Sequence, residues 1–157
     1  MSGGVPIPRF RTLTVPECEA ILERNHVGRV ANERRNRVEI IPIHYVFANG
    51  IIHGRTAPGT RLEETSHGFY GSWPVAFEVD EIEGLFQWRS VVVHGSFQAA
   101  VEGDSEWQRI PQEWEEAVRH VRTLMPEAFT DDDPTRFRFV VIRIHIAEWA
   151  GREAVSG

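Results

Sequence analysis

One β-hairpin in the first half of the chain constrains the fold most strongly. Residues 38–47 are rich in β-branched and aromatic side chains, and Asn49-Gly50 can turn them directly into the apolar residues 51–56. Two such segments joined by Asn-Gly are a strong local signal for an antiparallel hairpin. The chain is therefore predicted to build on an antiparallel sheet.

Further strands and helices are predicted around this hairpin. Strands are expected at residues 27–31, 73–81, 86–99 and 136–149, and helices at residues 14–25, 60–67 and 111–124. Because a closed sheet leaves no unpaired edge, about six strands with flanking helices favour a mainly β fold, a closed antiparallel barrel. We expect a flexible arm at residues 1–11, a single domain at residues 12–152 and a tail at residues 153–157.

The charge balance and the cysteine content exclude several classes of function. A net charge of −6 argues against a general nucleic-acid binder, which usually carries a basic face. The chain has no lysine, so lysine Schiff-base chemistry is ruled out. A single cysteine, Cys18, rules out an internal disulfide and a cysteine-rich zinc site. No apolar run is long enough to span a bilayer, and we expect a soluble cytoplasmic protein without a membrane or nucleic-acid partner.

Cationic and hydroxyl side chains cluster directly after the hairpin. Arg55 and Thr56 end its second strand, and Thr60 and Arg61 stand in the first turn of the next predicted helix. A guanidinium beside free backbone N–H groups at a helix start suits a phosphate. The segment therefore predicts a β-scaffold that holds a phosphorylated ligand. The alternative is that both arginines are exposed and pair with nearby glutamates such as Glu64.

An ordered series of short motifs runs along most of the chain. The motifs are Leu13-Thr14, Val27-Gly28-Arg29-Val30-Ala31, Ile41-Pro42-Ile43-His44-Tyr45, residues 51–62, residues 75–80, residues 88–95 and Gly151-Arg152. In this order they resemble the FMN-binding split-barrel family related to pyridoxamine 5′-phosphate oxidase, and within it the branch of 5-nitroimidazole-reductase-like proteins. The resemblance implies a six-stranded antiparallel split β-barrel with flanking helices.

The same resemblance implies a cofactor site and a homodimer, because in that family FMN lies in a groove between two subunits. Arg55, Thr56 and Arg61 would hold the phosphate, helped by Thr60, although the family usually has lysine where Arg61 stands. The backbone around residues 41–43 would face the flavin ring. The cofactor-binding residues implied are Ile41, Pro42, Ile43, His53, Gly54, Arg55, Thr56, Thr60, Arg61, Trp88, Arg89 and Ser90, the last three near the cofactor or the partner's cofactor.

The histidines are the remaining candidates for chemistry. Their spacings match no zinc signature, so no metal site is predicted. Related nitroimidazole-reductase-like sequences place a histidine at the position of His53, near the flavin ring. His53 and Arg55 are two residues apart on a strand and should share a face, so His53 is expected to reach the flavin groove as a catalytic residue. The three acids at residues 131–133 are expected to form a solvated turn.

The predicted function is that of an FMN-dependent oxidoreductase. It would pass reducing equivalents from NADH or NADPH to a small planar acceptor such as a nitroaromatic or nitroimidazole compound. FMN is favoured over FAD because no Gly-x-Gly-x-x-Gly motif follows a strand. The alternative is a non-catalytic or differently loaded protein of the same fold that binds haem or F420, with His44, His53 or His94 as a haem ligand.

Overall fold

A computed structural model of the protein describes residues 7–56, 72–101, 110–133 and 140–157. Within these residues the chain forms β1 (Arg9–Leu13), α1 (Val15–Arg24), β2 (Val27–Arg34), β3 (Arg37–Ala48), β4 (Ile51–Thr56), β5 (Trp73–Gly84), β6 (Gln87–Val101), α2 (Gln112–Leu124) and β7 (Val140–Val155). The helix predicted over residues 60–67 lies outside the described residues. Neither α1 nor α2 is long and apolar enough to cross a membrane.

Six of the strands close into a ring of antiparallel pairs. Their order is β7-β4-β3-β2-β5-β6, and β6 pairs again with β7 to complete the ring. β1 attaches to β7 as a seventh strand outside this ring. The structure therefore confirms the predicted mainly β fold, a six-stranded antiparallel barrel flanked by helices. The sequence analysis did not predict β1.

The last strand, β7, joins three other strands. Residues 140–145 pair with β4, residues 151–155 pair with β1, and β6 pairs along residues 140–154. The sequence analysis ended this strand at residue 149 and assigned residues 1–11 to a flexible arm. The structure instead extends the strand to Val155 and places Arg9 to Arg11 in β1. The ordered sheet therefore reaches further at both ends than the sequence indicated.

Alternation along the strands fills the barrel with apolar side chains. On β3, Ile41, Ile43, Tyr45 and Phe47 are buried, whereas their neighbours Ile40, Pro42 and His44 are exposed. The buried Tyr45 hydroxyl donates a hydrogen bond of 2.8 Å to the carbonyl oxygen of Leu22 in α1. Its ring also packs edge-on against Phe77, with 5.0 Å between the ring centroids. One face of β3 is thus fixed to the core, which leaves the other face free to form a surface.

Two tight turns set this register. Asn49 and Gly50 have φ values of 54° and 77°, and Arg35 and Asn36 have φ values of 51° and 61°. Positive φ at both central residues is the type I′ geometry that matches the twist of an antiparallel hairpin. The first pair confirms the predicted Asn-Gly hairpin between β3 and β4. A one-residue slip at either turn would move every side chain of a strand to the opposite face.

The two helices cover different parts of the barrel. α1 begins with a capping box, in which Thr14 and Glu17 satisfy each other's backbone N–H groups, and it buries Cys18, Ile21 and Leu22. α2 buries the stripe Trp114, Ala117 and Val121 and packs against β3, β4 and β7. Trp114 and Ala117 form a second apolar cluster with Ala100 and Val141, outside the barrel. The outward face of β4 therefore lies beneath α2.

Candidate cofactor site

The motif residues of β3 and β4 lie next to each other. His44 of β3 pairs with Arg55 of β4 in regular register, and the Thr56 hydroxyl approaches the carbonyl oxygen of Pro42 at 3.5 Å. Pro42 faces outward and is exposed, whereas Ile41 and Ile43 point into the barrel. A ligand at this junction would therefore meet the backbone of residues 41–43 and not the side chains of the two isoleucines.

Arg55 is buried on the outer face of β4 and bound to an acidic residue. Only 2% of Arg55 is exposed, and its Nη2 atom donates a hydrogen bond of 2.7 Å to Oδ2 of Asp133. The guanidinium carbon also lies 4.3 Å from the ring centroid of Phe129. The expectation of a solvated turn is wrong for Asp133, because this side chain folds back onto the sheet. It holds for Asp131 and Asp132, which are exposed.

The other phosphate candidates are only partly described. Thr56 is buried, with its hydroxyl near Pro42, and Thr60 and Arg61 lie outside the described residues. Gly54 faces the barrel interior, where an added Cβ would lie 2.9 Å from Cδ1 of Ile43. Packing inside the barrel therefore accounts for the glycine at position 54 without a ligand.

His53 shares the outer face with Arg55, as expected, because β4 contains no bulge. The expectation that its imidazole reaches an open groove is wrong: only 1% of His53 is exposed, and its ring centroid lies 4.7 Å from that of His120 in α2. Burial, with help from His120 and Arg143, lowers the pKa of His53 to about 4. Its Nδ1 atom has no hydrogen-bond partner among the described residues. His53 is thus a neutral imidazole in a packed layer.

Arg143 completes this layer from the neighbouring strand. It pairs with His53 across β4 and β7, is 6% exposed, and donates a hydrogen bond of 3.2 Å to Gln98. Its guanidinium carbon lies 5.7 Å from the ring centroid of Trp114, and burial lowers its pKa. His53 and Arg143 therefore lie under α2, and Arg55, on the same face of β4, lies under the turn that follows α2.

The sequence analysis did not identify several residues of this layer. Arg143 lies two residues after the buried Val141 and therefore on the same face of an apolar strand. His120 lies three residues after Ala117, next to the buried stripe of α2, so both residues carried a periodic signal. Phe129 and Asp133 carried none, because their contact with Arg55 depends on how the chain turns after α2. Tertiary packing alone brings these two residues to the site.

The remaining predicted residues, Trp88, Arg89 and Ser90, lie far from Arg55 within one chain. Ser90 pairs with Arg152 of β7, whereas Arg55 pairs with Val141 of the same strand. Positions 141 and 152 are 11 residues apart, which is about 36 Å along a strand. One chain therefore does not bring the two groups together.

Near Trp88 the side chains form their own contacts. The Nε atom of Arg89 donates a hydrogen bond of 2.7 Å to Oε2 of Glu153, and the Trp88 ring centroid lies 6.2 Å from that of Phe10. The side chains of Trp88 and Arg89 are partly exposed. No group of potential metal ligands occurs among the described residues.

Comparison with known proteins places this arrangement in context. The family model described as pyridoxamine 5′-phosphate oxidase matches residues 14–153. No curated protein matches the chain significantly.

Several solved structures share the fold. An FAD-binding protein from Mesorhizobium loti has a TM-score of 0.64 and 23% identity, over 95% of this chain and 99% of that one. The FAD-binding protein from Mycobacterium smegmatis has a TM-score of 0.62 and 25% identity, over 90% and 98%. A putative 5-nitroimidazole antibiotic resistance protein from Bacteroides thetaiotaomicron has a TM-score of 0.55 and 13% identity, over 96% and 91%.

Proposed function

Because the chain belongs to the pyridoxamine 5′-phosphate oxidase family, we propose that it binds FMN where β3 meets β4 and acts as a flavin-dependent oxidoreductase. The observation that carries the proposal is the contact of Arg55 with Asp133. The guanidinium already holds a carboxylate oxygen at 2.7 Å, so it is oriented for an anionic oxygen at this edge of the barrel. This contact also supports the fit of a phosphorylated cofactor to the residues present.

Each residue of the proposed site has a distinct role. Arg55 and Arg61 neutralise the phosphate, and Thr60 donates a hydroxyl hydrogen bond at the start of the following segment. The exposed backbone around Pro42 provides the surface for the ring. When bound, FMN would supply the redox chemistry, which is the transfer of reducing equivalents from NADH or NADPH to a small planar acceptor such as a nitroaromatic compound. The chain itself contributes binding, orientation and charge.

His53 enters the proposal as a positioning residue. Its imidazole is buried against His120 and neutral at pH 7, so it supports the outer face of β4 beside Arg55 without reaching a substrate. A catalytic role would require α2 to leave β4.

We also propose that two copies of the chain form the complete site. Trp88, Arg89 and Ser90 pair with the opposite end of β7 from Arg55, so we propose that a second subunit supplies them to the cofactor. The outer face of β2 and β3 supports this, because Val27, Val38 and Ile40 are all exposed on it, beside Pro42. Covering these side chains with a second copy would remove apolar surface from water.

The choice between FMN and FAD requires a direct measurement, because two of the solved relatives are described as FAD-binding proteins. The absorption spectrum of the purified protein distinguishes a flavin from haem, the main alternative cofactor. Titration with FMN, FAD and riboflavin then gives the affinity for each flavin. Steady oxidation of NADH or NADPH with a nitroimidazole acceptor tests the reaction, and a flavin-loaded protein inert with both donors over a panel of acceptors would contradict it.

Replacing both proposed phosphate ligands provides the test of the site. In the double variant Arg55→Ala and Arg61→Ala, we expect FMN binding to weaken by several kcal/mol, because charge-assisted hydrogen bonds contribute about 1.5–3 kcal/mol each. Isothermal titration calorimetry measures the dissociation constant of FMN for each protein. The exposed Arg37 provides a control for the loss of a surface charge, since Arg37→Ala removes one positive charge from a hairpin tip and should leave FMN affinity unchanged. An unchanged FMN affinity in the double variant would show that the phosphate lies elsewhere.

A further inference from the structure

The turn that follows α2, residues 125–133, folds back over the barrel and ends at Arg55. Three backbone hydrogen bonds of 2.9–3.1 Å organise it, from Ala128 to Met125, from Thr130 to Glu127 and from Asp133 to Thr130. Within the turn, the side chain of Ala128 is buried. We call this segment the post-helix turn. Its internal bonds give it a defined shape that places two side chains, Phe129 and Asp133, over one arginine.

Phe129 has an unusual backbone conformation in this turn. Its φ is 64°, a value that large side chains rarely adopt because Cβ crowds the backbone. In this conformation its N–H donates a hydrogen bond of 3.0 Å to Oδ2 of Asp133, and its ring lies over the guanidinium of Arg55. A strained residue persists only where surrounding contacts hold it. The contacts with Asp133 and Arg55 therefore help to hold the turn closed.

From this geometry we propose that Asp133 competes with the phosphate of the cofactor for Arg55. The inference rests on the proposed function. In the described structure the same oxygen of Asp133 accepts hydrogen bonds from Arg55 and from Phe129, so it occupies a position suited to an anionic oxygen. A phosphate and a carboxylate side by side would repel each other in a site removed from water. Phosphate binding at Arg55 therefore displaces Asp133 and opens the post-helix turn.

This competition sets the affinity of the site. When a binding-competent form is only a fraction of the population, the apparent dissociation constant rises by the inverse of that fraction. The closed turn is the form that excludes phosphate, and the ion pair between Arg55 and Asp133 stabilises it. Weakening that ion pair without disturbing the turn should tighten the binding of a phosphorylated flavin and leave an uncharged flavin unaffected.

The substitution Asp133→Asn makes this change with the smallest alteration in shape. An asparagine oxygen still accepts the hydrogen bond from the Phe129 N–H, but it carries no charge for Arg55. The matched control is Asp132→Asn, one residue earlier, where the side chain is exposed. It changes the net charge of the protein by the same amount. Riboflavin, which has no phosphate, is the matched ligand.

The experiment measures dissociation constants of FMN and riboflavin for the whole protein and both variants by flavin fluorescence titration. We expect Asp133→Asn to bind FMN on the order of tenfold more tightly than the wild type, since a hydrogen bond between charged groups has that magnitude. The riboflavin affinity of Asp133→Asn should equal that of the wild type. The FMN affinity of Asp132→Asn should also be unchanged. Thermal unfolding of each variant shows that it is folded.

The outcomes separate the inference from the proposed function. If the wild type binds FMN and Asp133→Asn binds it equally well or more weakly, the competition is refuted while the FMN site stands. An equal gain for riboflavin, or for Asp132→Asn, refutes it as well, because the effect would not act through Arg55 and a phosphate. If neither the wild type nor Asp133→Asn binds any flavin, the proposed function and the inference are both refuted.

Discussion

At the α1 end of the barrel, charged side chains pair with one another within reach of water, whereas the charged side chains beneath α2 are removed from it. Near α1, Arg11 binds both Glu17 and Glu153, and Glu153 also accepts a hydrogen bond from Arg89. Arg11 and Arg89 remain partly exposed. Ion pairs of this kind contribute little to stability because water already solvates the charges.

Beneath α2 the charged and titratable side chains are shielded from water. His53, Arg55 and Arg143 are almost fully buried, and burial lowers the pKa values of His53 and Arg143. Removing a charged group from water is costly unless it is paired, so this layer depends on its cover. We therefore expect the properties of the layer to depend on cover by α2 and by the turn that follows it. Three changes test this, beginning with the largest expected effect.

Removing the main apolar contact of α2 should expose the charged side chains beneath it to water, as they are near α1. Trp114→Ala deletes a side chain that is 1% exposed and lies over Arg143. We expect a loss of about 3–5 kcal/mol in the free energy of unfolding, measured by chemical denaturation. We also expect the pKa of His53 to rise toward that of an exposed histidine, measured by NMR titration. The exposed Glu115 provides the control, because Glu115→Ala should change neither quantity appreciably.

The two regions should lose stability in separate ranges of pH. His53 has a pKa of 6.5 when unperturbed and about 4 in the folded protein, so the unfolded chain takes up more protons between these values. Its contribution is complete above pH 6.5 and is lost as the pH falls toward 4, by at most about 3 kcal/mol. Near α1, hydrogen bonds from Arg24 lower the pKa of Glu81 from 4.5 to about 2, and its contribution is lost only between these lower values.

Replacing His53 should show which part of the pH dependence of stability comes from its imidazole. In His53→Gln we expect the fall in stability between pH 6.5 and 4 to become shallower, while the fall below pH 4.5 remains. Denaturation curves over this pH range measure the effect. His94 is exposed and provides the control, since His94→Gln should leave the profile unchanged. An unaltered profile in His53→Gln would mean that this imidazole titrates normally in the folded protein.

The smallest effect is expected at the α1 end. Glu153→Gln removes the charge that Arg11 and Arg89 share, and we expect a loss of about 1 kcal/mol, which decreases as salt screens the pairs. Denaturation at low and high salt measures it, with Glu148→Gln on the exposed part of β7 as the control. A loss above that of Trp114→Ala would reverse the comparison between the two regions.

The sequence predicted the barrel because its signals are local. The β-branched and aromatic residues 38–47 and the Asn49-Gly50 turn each depend on a few neighbouring residues, and the structure confirms the hairpin that they predict. β1 was missed because it is short and next to a glycine- and proline-rich segment, and its only strand partner in the described residues is the far end of β7.

The site was less predictable than the fold. Periodicity placed His53 and Arg55 on one face correctly, but it does not show which element covers that face. His53 was expected in a groove, but α2 covers it and its imidazole is buried. Asp133 was expected in a solvated turn, but it contacts Arg55. Flavin identity, the electron donor and a cytoplasmic location remain predictions.

The pairing of β7 has a consequence for how the protein is made. The barrel closes only when β7 joins β4 and β6, and its final residues also pair with β1 at the other end of the sequence. Closure therefore requires contacts between residues that are distant in the chain, which slow folding because the intervening chain must first be ordered. During synthesis the earlier strands leave the ribosome before β7 exists. Until then β4 and β6 present open edges, which makes this interval the one in which the chain is most exposed to aggregation.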